Sequence, residues 1–323
     1  MKKICVIVLT FVLMFAFVGC SNQEDVKDGD YSDVTIRLAQ QYGMQYAPVY
    51  VMQNMGLLEE LLPGVNLEWS NFGGGSAMNE ALISNQLDVA FMGIPPVLIA
   101  IDKGVDYRIA AGISVPPAEL IVHSDSNIES LGDIKADDKI AVPGVGSIQH
   151  IMLSMAAKEQ LGDPNAFDKN LTTMANPDAY TALISGTDVS AHFASMPYID
   201  FEVNDGMKSI LSAEEIGGGA SIICVTTKNL SENEDVHNAL IQALNNAIEL
   251  INNGDEDAIR IIAETEKISE EDAVRYLQWP GTKYTTDLYK VDELAEFMYE
   301  VGYLENEYPG FATVTWDGAI KGE

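Results

Sequence analysis

The chain is poor in positive charge, in cysteine and in histidine. Eighteen Lys+Arg face 49 Asp+Glu, a formal net charge of −31 over 323 residues. Such a surface repels phosphate backbones and anionic headgroups, which excludes nucleic-acid binding and polybasic membrane docking. Of three cysteines, Cys5 and Cys20 lie in or beside an apolar N-terminal segment, and Cys224 alone remains in the body. One thiol in the apolar run 221–225 reads as an inert buried side chain. No CxxC or Cys/His ligand spacing accompanies it, so neither a disulfide framework nor a metal site is expected. The four histidines, His123, His150, His192 and His237, are scattered; His123 and His192 stand in strand-like runs, as structural histidines do. A P-loop, a GxSxG elbow and an HExxH helix are all missing. Gly144-Val145-Gly146 lacks the third glycine of a dinucleotide fingerprint. With so many carboxylates, close acidic pairs arise by chance and mark solvated faces. The reading is therefore of no catalytic residue, no metal and no cofactor.

What is present begins at the N-terminus. Lys2 and Lys3 precede an apolar run over 4–18, which at 1.5 Å per residue spans ~22 Å, short of the ~30 Å hydrocarbon core. Charged start, short apolar core and a small residue before a cysteine make 1–19 a secretory signal peptide. Phe17-Val18-Gly19-Cys20 resembles the lipobox of bacterial lipoproteins, with Phe17 where leucine is usual, so Cys20 is expected to be lipidated and to become the first mature residue. Loss of the leader leaves 16 cations against 49 carboxylates, a net of −33. Residues 20–33, acidic and without period, are read as a flexible tether.

Over the whole chain, 47% hydrophobic and 21% charged residues are those of a globular protein, and the part beyond the tether is long enough for roughly two domains. Strand and helix patterns alternate. Residues 34–39 read as a strand, then Pro48 opens and Gly56 closes a helix. Val65, Leu67 and Trp69 alternate as a strand, and the glycine loop 73–75 opens a helix with Ser76 as its expected cap. Residues 87–92 form a third strand, ended by Gly93. The pattern restarts with a strand at 139–142, and Gly144, Gly146 and Ser147 lead into a helix with Ile148, Ile151, Met152 and Met155 on one face, stopped at Gly162. Asn176-Pro177 starts another helix, followed by a strand over 188–193. From Ser231 the chain is mainly helical: Ser231 with Glu234 reads as a capping box, Ser269 with Asp272 starts a further helix, and Leu294, Ala295 and Met298 mark the last. Alternation with short connections predicts an α/β body with parallel-rich sheets.

In such sheets ligands bind beyond the carboxyl ends of strands, where helix N-termini present free N–H groups. Five loops occupy those places. They carry Tyr42, Gln45 and Tyr46; Gly74, Gly75 and Ser76; Met92 and Gly93; Gly144, Gly146 and Ser147; and, in the loop that starts at Ser195, Met196 and Tyr198. Each alone reads as turn chemistry, or as core packing for Phe72 and Met92; together they predict a cleft. None contains Lys or Arg, and the four arginines, Arg37, Arg108, Arg260 and Arg275, stand elsewhere.

The same loops resemble the nitrate/sulfonate/taurine group of substrate-binding proteins of ABC transporters. MQYAPVY at 44–50 followed by Gly56 is similar to the group's opening motif. FGGGSAM at 72–78, Ala81-Leu82 and LDVAFMG at 87–93 are similar to its second, with Asn85-Gln86 where glycine is frequent. SNIESLGDIK at 126–135, Gly146-Ser147, Asn176-Pro177 with Gly186, and NGDEDA at 253–258 continue the match. The resemblance implies a type II periplasmic-binding fold, with one lobe at 34–122 plus 226–323, a second at 123–225, and a ligand cleft between them. It implies a monomer exported and held to the outer face of a bacterial cell membrane (or periplasmic), touching the membrane through its lipid anchor only. Its partners would be a small solute, a permease and the permease's ATPase. A small organosulfonate, taurine or nitrate-like solute follows from the resemblance; a neutral or aromatic solute, such as a thiamine-precursor pyrimidine, suits the tyrosines and methionines equally. A lipid-anchored sensor stays open as a rival role. An enzyme on the same fold would need the cysteine-rich iron motif of the group's pyrimidine-synthesising relatives, which is absent here. For the anchor, metabolic lipid labelling is expected to mark the wild-type protein and not Cys20→Ala; equal labelling of both would remove the lipidation reading.

Overall fold

A computed structural model describes residues 29–322. The expected leader 1–19, the expected lipidation position Cys20 and the residues up to 28 of the expected tether lie outside the described residues. The strands are β1 (Thr35–Gln40), β2 (Asn66–Asn71), β3 (Val89–Gly93), β4 (Tyr107–Ser114), β5 (Ala118–Val122), β6 (Ile140–Val142), β7 (Leu171–Thr173), β8 (Ala191–Ser195), β9 (Lys208–Ser212) and β10 (Ile222–Thr227). They form two five-stranded sheets, β2-β1-β3-β10-β4 and β7-β6-β8-β5-β9.

The two sheets share one plan. β1 runs parallel to β2 and β3, and β6 runs parallel to β7 and β8. The fourth strand of each sheet is antiparallel to both its neighbours: β10 between β3 and β4, and β5 between β8 and β9. These two strands are also the first to form after the chain changes lobe. β5 follows β4 after Val115, Pro116 and Pro117; β10 follows β9 after a 3-10 turn, Ala213–Ile216, and three glycines, Gly217, Gly218 and Gly219. The crossings lie against each other. A Cβ built on Gly219 would sit 2.6 Å from the Pro116 carbonyl oxygen, closer than any side chain tolerates.

This corrects the expected lobe boundaries. Residues 118–122, expected at the end of the first lobe (34–122), belong to the second sheet, and 222–225, expected in the second lobe (123–225), belong to the first sheet. Apolar strands of either lobe read alike, and only hydrogen-bond partners tell them apart. The expected tether, 20–33, overlaps the packed body at its end, where Tyr31 donates its N–H to the Pro63 carbonyl at 2.9 Å and packs on the core.

Helices cover the sheets for the reasons the periodicities suggest. Ala47–Met55 carries Pro48 in its first turn and ends at Gly56 in a left-handed conformation. Ile148–Leu161 is capped by Ser147, whose hydroxyl accepts from the His150 N–H, and ends at Gly162. Two expected caps are displaced. The helix Gly75–Ile83 is capped at Gly74, with Ser76 inside its first turn. The long helix Glu234–Asn253 is capped by Asn233, whose side chain accepts from the Val236 N–H; Ser231 closes the preceding short helix and its hydroxyl bonds Thr226 instead. Ser269 does cap Glu270–Leu277. The long helix buries Val236, Leu240, Leu244, Ile248 and Ile251 against the first lobe, each worth about 1.5–3 kcal/mol in apolar area removed from water.

The C-terminal part also clamps the second lobe. Arg275 donates to both carboxylate oxygens of Asp200 at 2.8 and 2.9 Å, and the Tyr276 hydroxyl donates to the same group at 2.6 Å. Asp200 lies on the second-lobe helix Tyr198–Asn204. On the far side, Tyr303 meets Nε2 of His150 at 3.3 Å. Arg275 holds the Asp200 carboxyl below the usual carboxylate range, so the clamp is intact above that range and is lost as pH falls through the depressed value. Asp200→Asn is expected to shift the lobes toward an open arrangement at neutral pH, read as a larger radius of gyration by small-angle scattering; an unchanged radius would mean the clamp does not hold the lobes.

Candidate functional site

Every parallel strand of both sheets ends toward the space between the lobes, and a helix or turn starts there. After β1, Gln41 leads to the 3-10 turn Met44–Tyr46. That turn is pinned from the first lobe: Ser114 Oγ donates to the Gln45 carbonyl at 2.8 Å and Tyr284 Oη to the Met44 carbonyl at 2.9 Å. It is also pinned across the cleft, where the Met44 N–H donates to the Met196 carbonyl at 2.9 Å. After β3, Gly93 begins the helix Ile94–Asp102, with Pro95 and Pro96 in its first turn. In the second lobe, Pro143 follows β6, Asn176 begins the helix after β7, and Ser195 ends β8.

Together these ends enclose a cavity of about 30 Å³, floored by Pro116 and Ala220 from the two crossings. At ≳ 10–15 Å³ per water this is room for about two waters, so a solute enters only when the lobes part. The polar lining is Gln41, Gln45, Ser147, Gln149, Asn176 and Ser195, with the Tyr46 ring, Ile148 and Met152 beside it. No charged side chain lines the cavity among the described residues. A buried acceptor is already in place: Gln45 donates from Nε2 to the Tyr42 carbonyl at 3.1 Å, while its Oε1 is buried without a partner. Ser147 Oγ caps the His150 N–H, and Ile148 and Gln149, whose amides in the first turn have no intrahelical partner, belong to the cavity lining.

The thirteen residues expected at the site divide into three groups. Gln45, Tyr46, Gly75, Gly93 and Ser147 line the cavity. Gly74, Ser76 and Gly144 line an outer groove at the mouth between the lobes, where Ser76 Oγ donates to the Val145 carbonyl at 3.4 Å. The remaining five line neither. Met92 is buried within β3 and supports Gly75 from below. Met196 gives its carbonyl to Met44. Tyr198 packs on Tyr180 and Phe201, Tyr42 is exposed, and Gly146 donates its N–H to His150 Nδ1 at 2.8 Å. Sequence reasoning missed Gln41, Gln149 and Asn176, although Asn176 stood at a strand-end position like the other loops; Ser195 opened the fifth predicted loop, and it lines the cavity where Met196 and Tyr198 were expected to.

The glycines here serve lobe contact more than ligand contact. A Cβ on Gly74 would run into the Pro143 carbonyl of the other lobe, and one on Gly93 would sit 2.7 Å from the Ile148 side chain. Gly74 has an extended backbone that any residue adopts, so a side chain there obstructs closure and leaves the fold alone. Gly74→Ala is expected to weaken solute binding by about tenfold or more at an unchanged melting temperature; wild-type affinity would show that the cleft does not close along this seam. The tenfold corresponds to about 1.4 kcal/mol, a modest steric conflict.

The model of the NMT1-like family matches residues 31–267. Among solved structures, the alkanesulfonate-binding protein SsuA from Xanthomonas axonopodis pv. citri, bound to MOPS, is 22% identical, covers 88% of this chain and 98% of its own, and gives a TM-score of 0.73. The aliphatic sulphonate-binding protein SsuA from Escherichia coli is 21% identical over 88% and 97%, with a TM-score of 0.67. The nitrate-binding protein NrtA from Synechocystis PCC 6803 is 15% identical over 87% and 84%, with a TM-score of 0.68. At these identities the likeness establishes the two-lobed periplasmic-binding fold. No protein with a curated description matches.

Proposed function

The chain belongs to the NMT1-like family, and from that membership we propose that it is the solute-binding lipoprotein of an ABC importer, binding without catalysis. It captures a small organosulfonate, taurine or nitrate-like anion between its lobes and delivers it to a membrane permease, held outside the cell by lipid on Cys20. The observation that carries this reading is the cavity itself: strand ends and helix N-termini of two lobes converge on one space whose mainly apolar wall is set with six uncharged polar side chains. A monoanion suits it. The amides opening the helix at Ile148 carry partial positive charge worth about 0.3–1 kcal/mol per contact, enough to orient one negative charge and too little for a dianion without a cationic partner. The three solved structures named above, two sulfonate binders and a nitrate binder, agree with that charge class.

That no charged side chain lines the cavity among the described residues favours a second reading, a neutral heteroaromatic solute held by the Tyr46 ring and the amides of Gln41 and Gln45. Titration calorimetry of the protein from residue 21 onward, with taurine, ethanesulfonate, nitrate and an aminopyrimidine in turn, separates the two. Micromolar or tighter binding of a monoanion is the expected result; binding of the pyrimidine alone would replace the anion reading with the neutral one.

A further inference from the structure

Behind the second-lobe wall of the cleft runs a buried polar chain that no loop motif pointed to. Glu202 Oε1 lies 2.6 Å from His192 Nδ1, and both side chains are 0% exposed. On its other side His192 Nε2 lies 3.2 Å from Asn176 Oδ1, and Asn176 Nδ2 donates to Ser195 Oγ at 3.2 Å. Asn176 and Ser195 then form part of the cavity lining. His192 is thus a structural histidine as its strand setting suggested, yet it sits one hydrogen bond from Asn176 in the cavity lining.

Charge neutrality sets the protons in this chain. A carboxylate beside a neutral imidazole would leave one net negative charge fully buried, which costs several kcal/mol without a partner. The pair avoids that cost by holding two protons, one within the 2.6 Å Glu202–His192 contact and one on Nε2. Burial pushes the Glu202 carboxyl up, and its Oε2 has no partner, both in keeping with a shared proton. The other neutral arrangement, with the carboxyl proton on Oε2 and Nε2 bare, would bury an O–H with no acceptor, because Oε2 has no partner; with the proton in the Glu202–His192 contact instead, Nε2 carries the second. Nε2–H must therefore be met by an acceptor, which fixes Asn176 with Oδ1 inward and its NH₂ toward Ser195. Ser195 Oγ, already accepting, turns its own proton away from Asn176.

We propose that Glu202 and His192 are positioning residues that lock Asn176 and Ser195 as hydrogen-bond donors toward the cleft, so that this wall selects solutes presenting an acceptor oxygen. The proposal deepens the anion reading above and rests on it for the identity of the solute, though the proton arrangement stands by itself. With the opposite arrangement, an unprotonated Nε2 would draw the Asn176 amide inward, and the wall would present acceptors that repel an anion.

Two measurements test it on the chain from residue 21 onward. In ¹⁵N spectra of histidine-labelled protein at neutral pH, assigned by loss of one signal in His192→Gln, His192 Nε2 is expected to resonate as a protonated nitrogen. An unprotonated Nε2 overturns the proposal whether or not any solute binds, so its failure is distinct from failure of the anion reading. With ethanesulfonate as probe, Ser195→Ala is expected to lose about ten- to hundredfold in affinity, as for one hydrogen bond to a charged group. Glu202→Gln, whose amide can donate or accept, is expected to lose part of that affinity while keeping its melting temperature. Unchanged affinity in Ser195→Ala overturns the donor role.

Discussion

Each lobe of this molecule is completed by a strand delivered from the other. β5 enters the second sheet directly after leaving the first, and β10 enters the first directly after leaving the second. Both are antiparallel insertions between parallel strands, so a crossing cannot shift without breaking ladder bonds on two sides. That constraint fixes where bending is possible: the stretch between Ser114 and Ala118, and the stretch between Ser212 and Ile222. One is stiffened by Pro116 and Pro117, the other loosened by three glycines, and they touch at Gly219. The floor of the cleft is made from the same two stretches, so motion of the lobes and geometry of the site share one set of atoms.

The cleft's electrostatics follow from the remainder of the surface. With 49 carboxylates in the chain, the arginines are taken up in pairs: Arg37 with Asp88, Arg275 with Asp200 and Asp272, Arg108 with Asp106, and Arg260 with Asp257. A cavity free of side-chain charge is left to amides, hydroxyls and helix N-termini. These are fixed dipoles, already oriented by capping and by contacts such as Ser114 to the Gln45 carbonyl. Their strength is modest in water and larger once closure excludes it.

The fold was largely legible in the chain because its signals are local. Pro48 and Gly56 bracket a helix, Ser147 caps one, and the stripe from Val236 to Ile251 is a buried face whatever surrounds it. The lobe boundaries were not legible in the same way. Strand 118–122 is apolar whichever sheet it joins, and its neighbours, Phe193 and Leu211, lie about seventy residues or more away in sequence. Pro116-Pro117 and Gly217-Gly218-Gly219 did mark the crossings, as breaker clusters usually do. The site was legible as a set of loops and illegible as a set of contacts. Tyr198 and Met92 have the right chemistry and face their own cores; Ser76, next to the lining residue Gly75, turns to the outer groove instead. Asn176 looked like a helix start and Ser195 like a strand end, and their role appears only when β8 and the helix from Asn176 are set side by side.

Closure is held by contacts that do not involve a solute. Met44 bonds Met196, Ser76 bonds Val145, Arg275 and Tyr276 grip Asp200, and Tyr303 reaches His150. A solute shifts the lobes only by the difference between its contacts in the closed and open forms. If the lobes already make this many bonds to each other, the solute has little to add for closing and most of its contact energy is left for affinity. The same bonds must be broken for a solute to enter as for it to leave, so opening is an equilibrium of the lobes themselves. An outside partner that binds the separated lobes better than the closed pair would shift that equilibrium toward release, which is the part a permease would play in the proposed cycle.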